Sequence, residues 1–360
     1  MALPHTYYNN PAAYMGFVGF VRLKGSTIVG DAAAGASSVN FQDYLIRATT
    51  ANINLSQEIS KPDVIDSRYD KTVYQLGPKL IDGTLEFPAI YDRPTNNTIG
   101  AFEILYRLAI TRGSTGNLSP FDLEVKYASY GYPNQAEFKY TGCIVNTWKY
   151  SVTQGDLVSC AIDVIGLTRE YAGVLPPPAR KDDGACTPLG DTNNGEIGTS
   201  RIITWNDARV EITGERLQDT IGGQFVRTFE ANVNNDAERF YTLNKALYAQ
   251  AVAPRKRDID GSLTLMGRHK DLSLLAESNQ DNCSESTQIK FGFETTATGE
   301  SCTGASTFGV TIPNVVFEIE EMSLGNDIFE TNVGWHALPS AGTGVCDPML
   351  TSIGDTTFSY

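Results

Sequence analysis

One five-residue phrase occurs twice in this chain, as Ile81-Asp82-Gly83-Thr84-Leu85 and as Ile259-Asp260-Gly261-Ser262-Leu263. The copies lie 178 residues apart (259 − 81 = 178), close to half of a 360-residue chain. Each follows a charged, turn-rich stretch, opens an alternating strand-like run, and is followed by a helix-like segment. So long an offset argues for a duplicated unit, since solenoid and array repeats recur every 20–50 residues or so. The length points the same way, because single hydrophobic cores stop growing at about 250–300 residues.

The order of elements can be read in both halves. In the first, strand-like runs at Phe17–Leu23 and Tyr44–Leu55 lead into a long polar hairpin arm, Ser56–Lys79, and then the strand Leu80–Ile90. A helix is expected from about Asn97 to Thr111, where Ile99, Phe102, Leu105, Leu108 and Ala109 recur at helical spacing behind Asn96 or Asn97 as a cap. Strands are expected at Phe121–Tyr130, Ala136–Thr153 and Leu157–Thr168, the last two joined by a turn at Gln154-Gly155-Asp156. The second half runs through a strand at Arg201–Thr213, an insert at Gly214–Lys256 expected to be partly helical around Asp236–Ala251, and the strand Ile259–Met266. A short helix at Asp271–Asn279 and strands at Thr287–Thr296, Phe308–Met322 and Ile328–Leu338 follow. Between the halves, Tyr171–Ser200 carries Pro176-Pro177-Pro178 and a Gly/Asn/Thr-rich tract with few apolar anchors, so it reads as a linker. The expected class is β-rich α+β: two tandem domains, 1–170 and 201–360, around a linker at 171–200, with the insert 214–256 in the second.

Charge narrows the function. The net charge is −14 and the pI near 4.7. Proteins that hold nucleic acid gain affinity from cations that displace phosphate counterions. This chain does the opposite, which argues against a DNA-binding regulator and is compatible with a surface that DNA must pass without sticking. No run of 18 or more apolar residues is present, so no membrane insertion is expected. The N-terminus lacks a basic stretch followed by an apolar one, which predicts synthesis in the cytosol. Of six cysteines, Cys143 and Cys160 fall in strand-like runs and read as small buried hydrophobes. Cys186, Cys283, Cys302 and Cys346 fall in loops, with no pairing legible. No CxxC spacing occurs and the three histidines do not group with cysteines, so neither a metal nor a cofactor is expected.

Catalytic equipment is sparse. Three histidines leave little acid–base capacity near neutral pH, and the chain has no GxSxG, HExxH or GxxxxGK[ST] motif. Carboxylates such as Glu320-Glu321 are adjacent in a strand and point to opposite faces, which does not suit a hydrolase pair. The chain is therefore read as non-enzymatic.

What the strands offer instead is alternation. Phe317 and Ile319 alternate with Glu318 and Glu320, Leu123 and Val125 with Asp122 and Glu124, and Leu85 and Phe87 with Glu86. Strand geometry puts the two sets on opposite faces, one packed and one wet. The wet faces are either ordinary solvated sheet or, joined around an axis, the wall of an acidic channel. Glu86, Asp122, Glu124, Glu318 and Glu320 are the candidate lining residues. The arm mixes Ile59, Val64, Ile65 and Tyr74 with Glu58, Asp63, Arg68 and Asp70 around Pro62. A freely solvated loop rarely keeps so many apolar side chains, so the arm is read as ordered against a neighbouring chain. Its candidate contact residues are Glu58, Pro62, Asp63, Val64, Ile65, Arg68, Asp70 and Tyr74.

The run Glu58, Lys61-Pro62-Asp63-Val64-Ile65-Asp66-Ser67-Arg68-Tyr69-Asp70-Lys71, Tyr74-Gln75-Leu76-Gly77-Pro78 and then Ile81–Pro88 resembles the major tail tube proteins of tailed bacteriophages. The resemblance is clearest over 15–168 and weaker over 201–338. It implies a β-sandwich-like or half-barrel subunit whose sheet joins its neighbours into a ring. Stacked rings then form the virion conduit through which double-stranded DNA leaves the capsid. It further implies an acidic lumen, an arm that reaches an adjacent subunit or ring, and assembly in the host bacterial cytoplasm. The expected partners are the terminator, baseplate and sheath or tape-measure proteins of the same virion. A duplicated chain could close a pseudo-sixfold ring from three copies, a homotrimer, where single-domain members use six; a homohexamer is the other arrangement. The competing readings are a tail terminator, tube-initiator or baseplate ring protein, and a secreted β-sandwich adhesin.

Overall fold

The computed structural model describes residues 20–29, 38–41, 43–46, 48–60, 75–91, 101–112, 117–127, 136–171, 201–213, 226–243, 247–266, 287–295, 306–318 and 330–338. The first half begins with β1 (Phe20–Leu23), β2 (Ser26–Ile28), β3 (Val39–Phe41), β4 (Tyr44–Ile46), β5 (Thr50–Ser60), β6 (Gln75–Pro88) and β7 (Ile90–Tyr91). Helix α1 (Ala101–Ile110) is followed by β8 (Phe121–Tyr127), β9 (Ala136–Thr153), β10 (Ser159–Gly166) and β11 (Thr168–Tyr171). The second half holds β12 (Arg201–Ile202), β13 (Ala208–Thr213), β14 (Val226–Asn234), β15 (Glu238–Phe240), β16 (Ala251–Ala253) and β17 (Asp258–Met266). It continues with β18 (Gln288–Thr295), β19 (Ser306–Ile312), β20 (Val315–Phe317) and β21 (Glu330–Ala337). The β-rich α+β class expected from the sequence is the class observed.

A single antiparallel sheet runs through both halves in the order β20-β21-β17-β14-β9-β10-β6-β5. The same succession of neighbours occurs twice along it: β5-β6-β10-β9, then β14-β17-β21-β20. Each repeated phrase lies on the second strand of its set, β6 or β17. Registers correspond as well, since Asn54 faces Asp82 while Asn232 faces Asp260. A further set recurs too, with β1-β8-β9 in the first half and β13-β18-β19 in the second.

Strand β9 is the hinge of this arrangement. Its N-terminal part pairs with β8 and β11, while its C-terminal part pairs with β10 and β14. One 18-residue strand thus feeds two layers. The second layer is made by α1 and the β13-β18-β19 sheet. Phe102 of α1 meets Trp148, Tyr150, Phe293 and Phe308 edge-on, with centroids 4.7–6.0 Å away. These four rings come from β9, β18 and β19, and one cluster of buried apolar side chains draws on both halves. Edge-to-face packing adds about 0.5–1.5 kcal/mol per aromatic pair beyond area burial.

The glycines of the phrase have a packing role. A Cβ on Gly261 would lie 2.1 Å from the Glu230 carbonyl oxygen and 2.4 Å from the Trp335 ring; on Gly83 it would lie 2.6 Å from the Ile53 Cα. Both sit on the core-facing side, where the neighbouring strand leaves no room for a side chain.

Several expectations are corrected. The insert 214–256 is not helical where described: Asp236–Ala251 belongs to the connection carrying β15 and β16, and the insert also contains the full sheet strand β14. The expected strand Phe308–Met322 is broken at Pro313-Asn314 into β19 and β20, because proline has no N–H for the ladder. The Tyr44–Leu55 run divides into β4 and β5. Residues 172–200, holding almost all of the expected linker, and the expected helix Asp271–Asn279 lie outside the described residues.

Candidate functional site

The long sheet has one apolar and one polar face. Ile81, Leu85 and Phe87 of β6, Ile162 and Val164 of β10, Trp148 and Tyr150 of β9, Phe229 and Val233 of β14, Leu263 of β17 and Trp335 of β21 are buried on the core side. The alternate residues form the other face, where short polar side chains bond across strands. Asp163 accepts from Thr84 Oγ1 at 2.7 Å and from Thr147 Oγ1 at 2.5 Å. Further along, Thr228 donates to Thr264 at 2.7 Å and Thr264 to Asn332 at 2.6 Å. Such cross-strand pairs hold a sheet face without an apolar cover.

Acids dominate this face. Asp82, Glu86, Asp163, Glu230, Asp258, Asp260, Glu318 and Glu330 occupy it, against the cations Lys149 and Arg227 and the Arg239 that pairs with Asp82. Lys149 pairs with Glu230 at 2.6 Å, Arg227 pairs with Glu330, and His336 Nε2 lies 2.8 Å from Glu318. Glu86 and Asp260 have no side-chain partner among the described residues.

The two halves meet at β9 and β14, in register from Thr153↔Thr228 to Thr147↔Asn234. The Lys149–Glu230 pair spans this seam on the polar side. On the other side, Tyr150 donates to the Gly292 carbonyl at 3.0 Å. The two ends of the sheet path, β5 and β20, have no further strand beyond them among the described residues.

The connection from β14 to β17 does not stay with its own half. Asn235, fully buried, donates Nδ2 to the Ala109 carbonyl at 2.8 Å and to the Val145 carbonyl at 3.1 Å. Arg257 donates to the Ile110 carbonyl. The open C-terminal carbonyls of α1 are thereby capped from the second half. Further out, Arg239 donates to Asp82 Oδ1 and to the Ile81 carbonyl, both at 2.5 Å. Beside it, Lys79 N–H donates to the Leu247 carbonyl at 2.7 Å.

The lining residues expected from the sequence separate into three groups. Glu86 and Glu318 are exposed on the polar face, as alternation implied. Glu124 is a correction: it is buried and paired with Arg22 at 3.2 Å, itself 2% exposed, so it does not face water. Asp122 is half-buried, 3.1 Å from Lys139. Strand β8 is covered on both faces, and alternation cannot distinguish a wet polar row from a buried ion-paired one. Glu320 lies outside the described residues. In the arm, the described hairpin ladder of β5 and β6 reaches Ser60↔Gln75, and Glu58 is exposed on it. Pro62, Asp63, Val64, Ile65, Arg68, Asp70 and Tyr74 lie outside the described residues. Sequence reading missed Lys149, Glu230 and Arg239, each legible only once β14 is placed beside β9.

Comparison with curated proteins gives no match. The family model for phage tail tube proteins matches residues 16–316, a span that contains the junction of β9 with β14 and both repeated phrases. With most of its length matched, including the strands that merge the halves into one sheet, the chain belongs to the phage tail tube protein family.

Proposed function

We propose that the chain is a duplicated tail tube subunit whose two halves stand side by side in one ring, with the polar sheet face turned to a lumen that double-stranded DNA traverses from capsid to host. The observation that carries this reading is the β9–β14 ladder: it joins equivalent strand sets head to tail, so the first set's last strand meets the second set's first. A head-to-tail contact is heterologous, and repeated through a closing rotation it generates a ring. The strand beyond β20 of one copy would then be β5 of the next. Three copies supply six sets.

Membership of the family supports the tail tube as the setting, with self-assembly and other tail proteins as partners. Synthesis and assembly in the host cytoplasm, and contact with terminator, baseplate and sheath or tape-measure proteins, belong to the same reading. The polar face carries more carboxylates than cations, and like charge keeps phosphate from settling on the wall. Averaged electron-microscopy cross-sections of assembled protein are the test. Hollow rings with three chains and six similar lobes are expected; six chains per ring, or particles that never close, would refute the arrangement.

A further inference from the structure

We propose that His336 is a proton-dependent contact at the junction between copies: charged, it neutralises Glu318 where β20 meets β5 of the next copy and strengthens ring closure. This rests on the side-by-side ring reading above.

The duplication specifies which residues meet. Asn232 faces Asp260 and Asn54 faces Asp82, so Ser56 on β5 stands where Asn234 stands on β14. At the other end of each set, Asp163 of β10 faces Thr84 and Thr147, and Gly334 of β21 faces Ser262, the counterpart of Thr84. Phe317 faces Trp335, and the Glu318 N–H donates to the Gly334 carbonyl at 2.8 Å. Glu318 therefore stands where Thr147 stands on β9. Inside the chain, Thr147 faces Asn234. Between copies, the same ladder puts Glu318 opposite Ser56, with Asn54 and Glu58 to either side, all of them exposed.

The two seams differ in charge. The internal one is crossed by the Lys149–Glu230 pair at 2.6 Å. At the junction, Glu318 meets hydroxyl and amide side chains and the carboxylate of Glu58, which has no side-chain partner among the described residues. The ground behind Glu318 is acidic too. His336 Nε2 lies 2.8 Å from Glu318 Oε1; Val316 faces His336 on β20, Asp260 faces it on β17, and Asp258 lies two residues from Asp260. No lysine or arginine among the described residues pairs with Asp258, Asp260 or Glu318. The arginines of the neighbouring connection are turned elsewhere, Arg255 to Glu238 and Arg257 to the Ile110 carbonyl. His336 is thus the group bonded to this edge that can turn positive.

Histidine gains its charge as pH falls between about 8 and 5. Neutral, His336 leaves carboxylates facing each other across the junction, and like-charge juxtaposition opposes association. Protonated, it pairs with Glu318 and offsets that repulsion. Assembly favours the charged form, so the junction strengthens as pH falls through this range and weakens as pH rises.

The test uses the full chain and reads the concentration at which rings or tubes form at pH 8 and pH 6. Wild-type protein is expected to assemble at about fivefold lower concentration at pH 6, the worth of one surface ion pair per junction. His336→Gln should lose that difference and need the higher concentration at both, whereas His336→Lys, charged throughout, should need the lower one at both. A wild type without the response, or a His336→Gln protein that keeps it, overturns the proposal. Thermal midpoints of the three unassembled proteins are expected to agree at each pH, because an exposed pair adds little to folding. A His336→Gln midpoint that falls along with assembly also overturns the proposal, since the charge would then act inside the chain. A second arm combines Ser56→Cys with Glu318→Cys and maps disulfides between copies after assembly. The bond is expected; its presence beside an unchanged His336→Gln response removes this proposal alone. Assembly without the bond, or no assembly, removes the ring reading as well.

Discussion

At Gly261 the backbone of β17 passes between the Glu230 carbonyl and the Trp335 ring with no space for a methyl group. Substitution by alanine forces a shift of β14 or of a buried tryptophan, and overpacking of this kind costs about 1–3 kcal/mol. Gly261→Ala should therefore lower the denaturant midpoint of the unassembled chain without changing the slope; an unaltered midpoint would show that the strands can part freely. Cysteine chemistry is set at the same scale. Burial pushes the Cys143 and Cys160 thiols up, and the charge of Asp122 adds to the effect at Cys143. Since the thiolate is the nucleophile, both residues should stay unlabelled by iodoacetamide near neutral pH and react only on unfolding. Mass mapping of labelled peptides checks this, and labelling of either site in folded protein would contradict its place in the core.

Elements were legible where the pattern had one interpretation. Strand β9 has the bounds read from its sequence, and α1 falls inside the expected helix, because long alternation and a clear apolar stripe allow no second reading. Strand β14 was hidden in the insert although Phe229, Ala231 and Val233 alternate with polar residues. The following Asp236–Ala251 has helix-like spacing, yet tertiary partners decide its shape: Ala237 and Val252 pack on Leu118, Ile144 and Ile165, and Asn235 caps α1. No local preference encodes those contacts. The Asn235 cap gives the element-scale prediction. Asn235→Ala strips partners from buried carbonyls at Ala109 and Val145, and an unsatisfied buried group costs about 1–3 kcal/mol. Hydrogen exchange should quicken in the last turn of α1, near Ala109, more than in β18. Uniform quickening would instead mean that the residue serves overall stability and not this junction.

For the whole molecule, the polar face matters more than any single residue on it. Glu124 drops out of the expected lining because Arg22 and the burial around β8 neutralise it, whereas Glu86 and Glu318 remain exposed on one continuous sheet. Their repulsion of phosphate is a field effect, so it should weaken within a Debye length of about 10 Å at 0.1 M salt. Exposed strand substitutions are usually within about 0.5 kcal/mol, so Glu86→Lys with Glu318→Lys should leave folding intact. If both line the lumen, the double variant places new cations around the channel at each of its repeats, and DNA should move more slowly at low ionic strength and recover as salt rises. The measurement is the ejection rate of particles built with the variant, followed across a salt series. Slowing that ignores salt would point to altered assembly. No slowing at any salt would put these two carboxylates on the outside of the tube, and with them the whole polar face of the sheet.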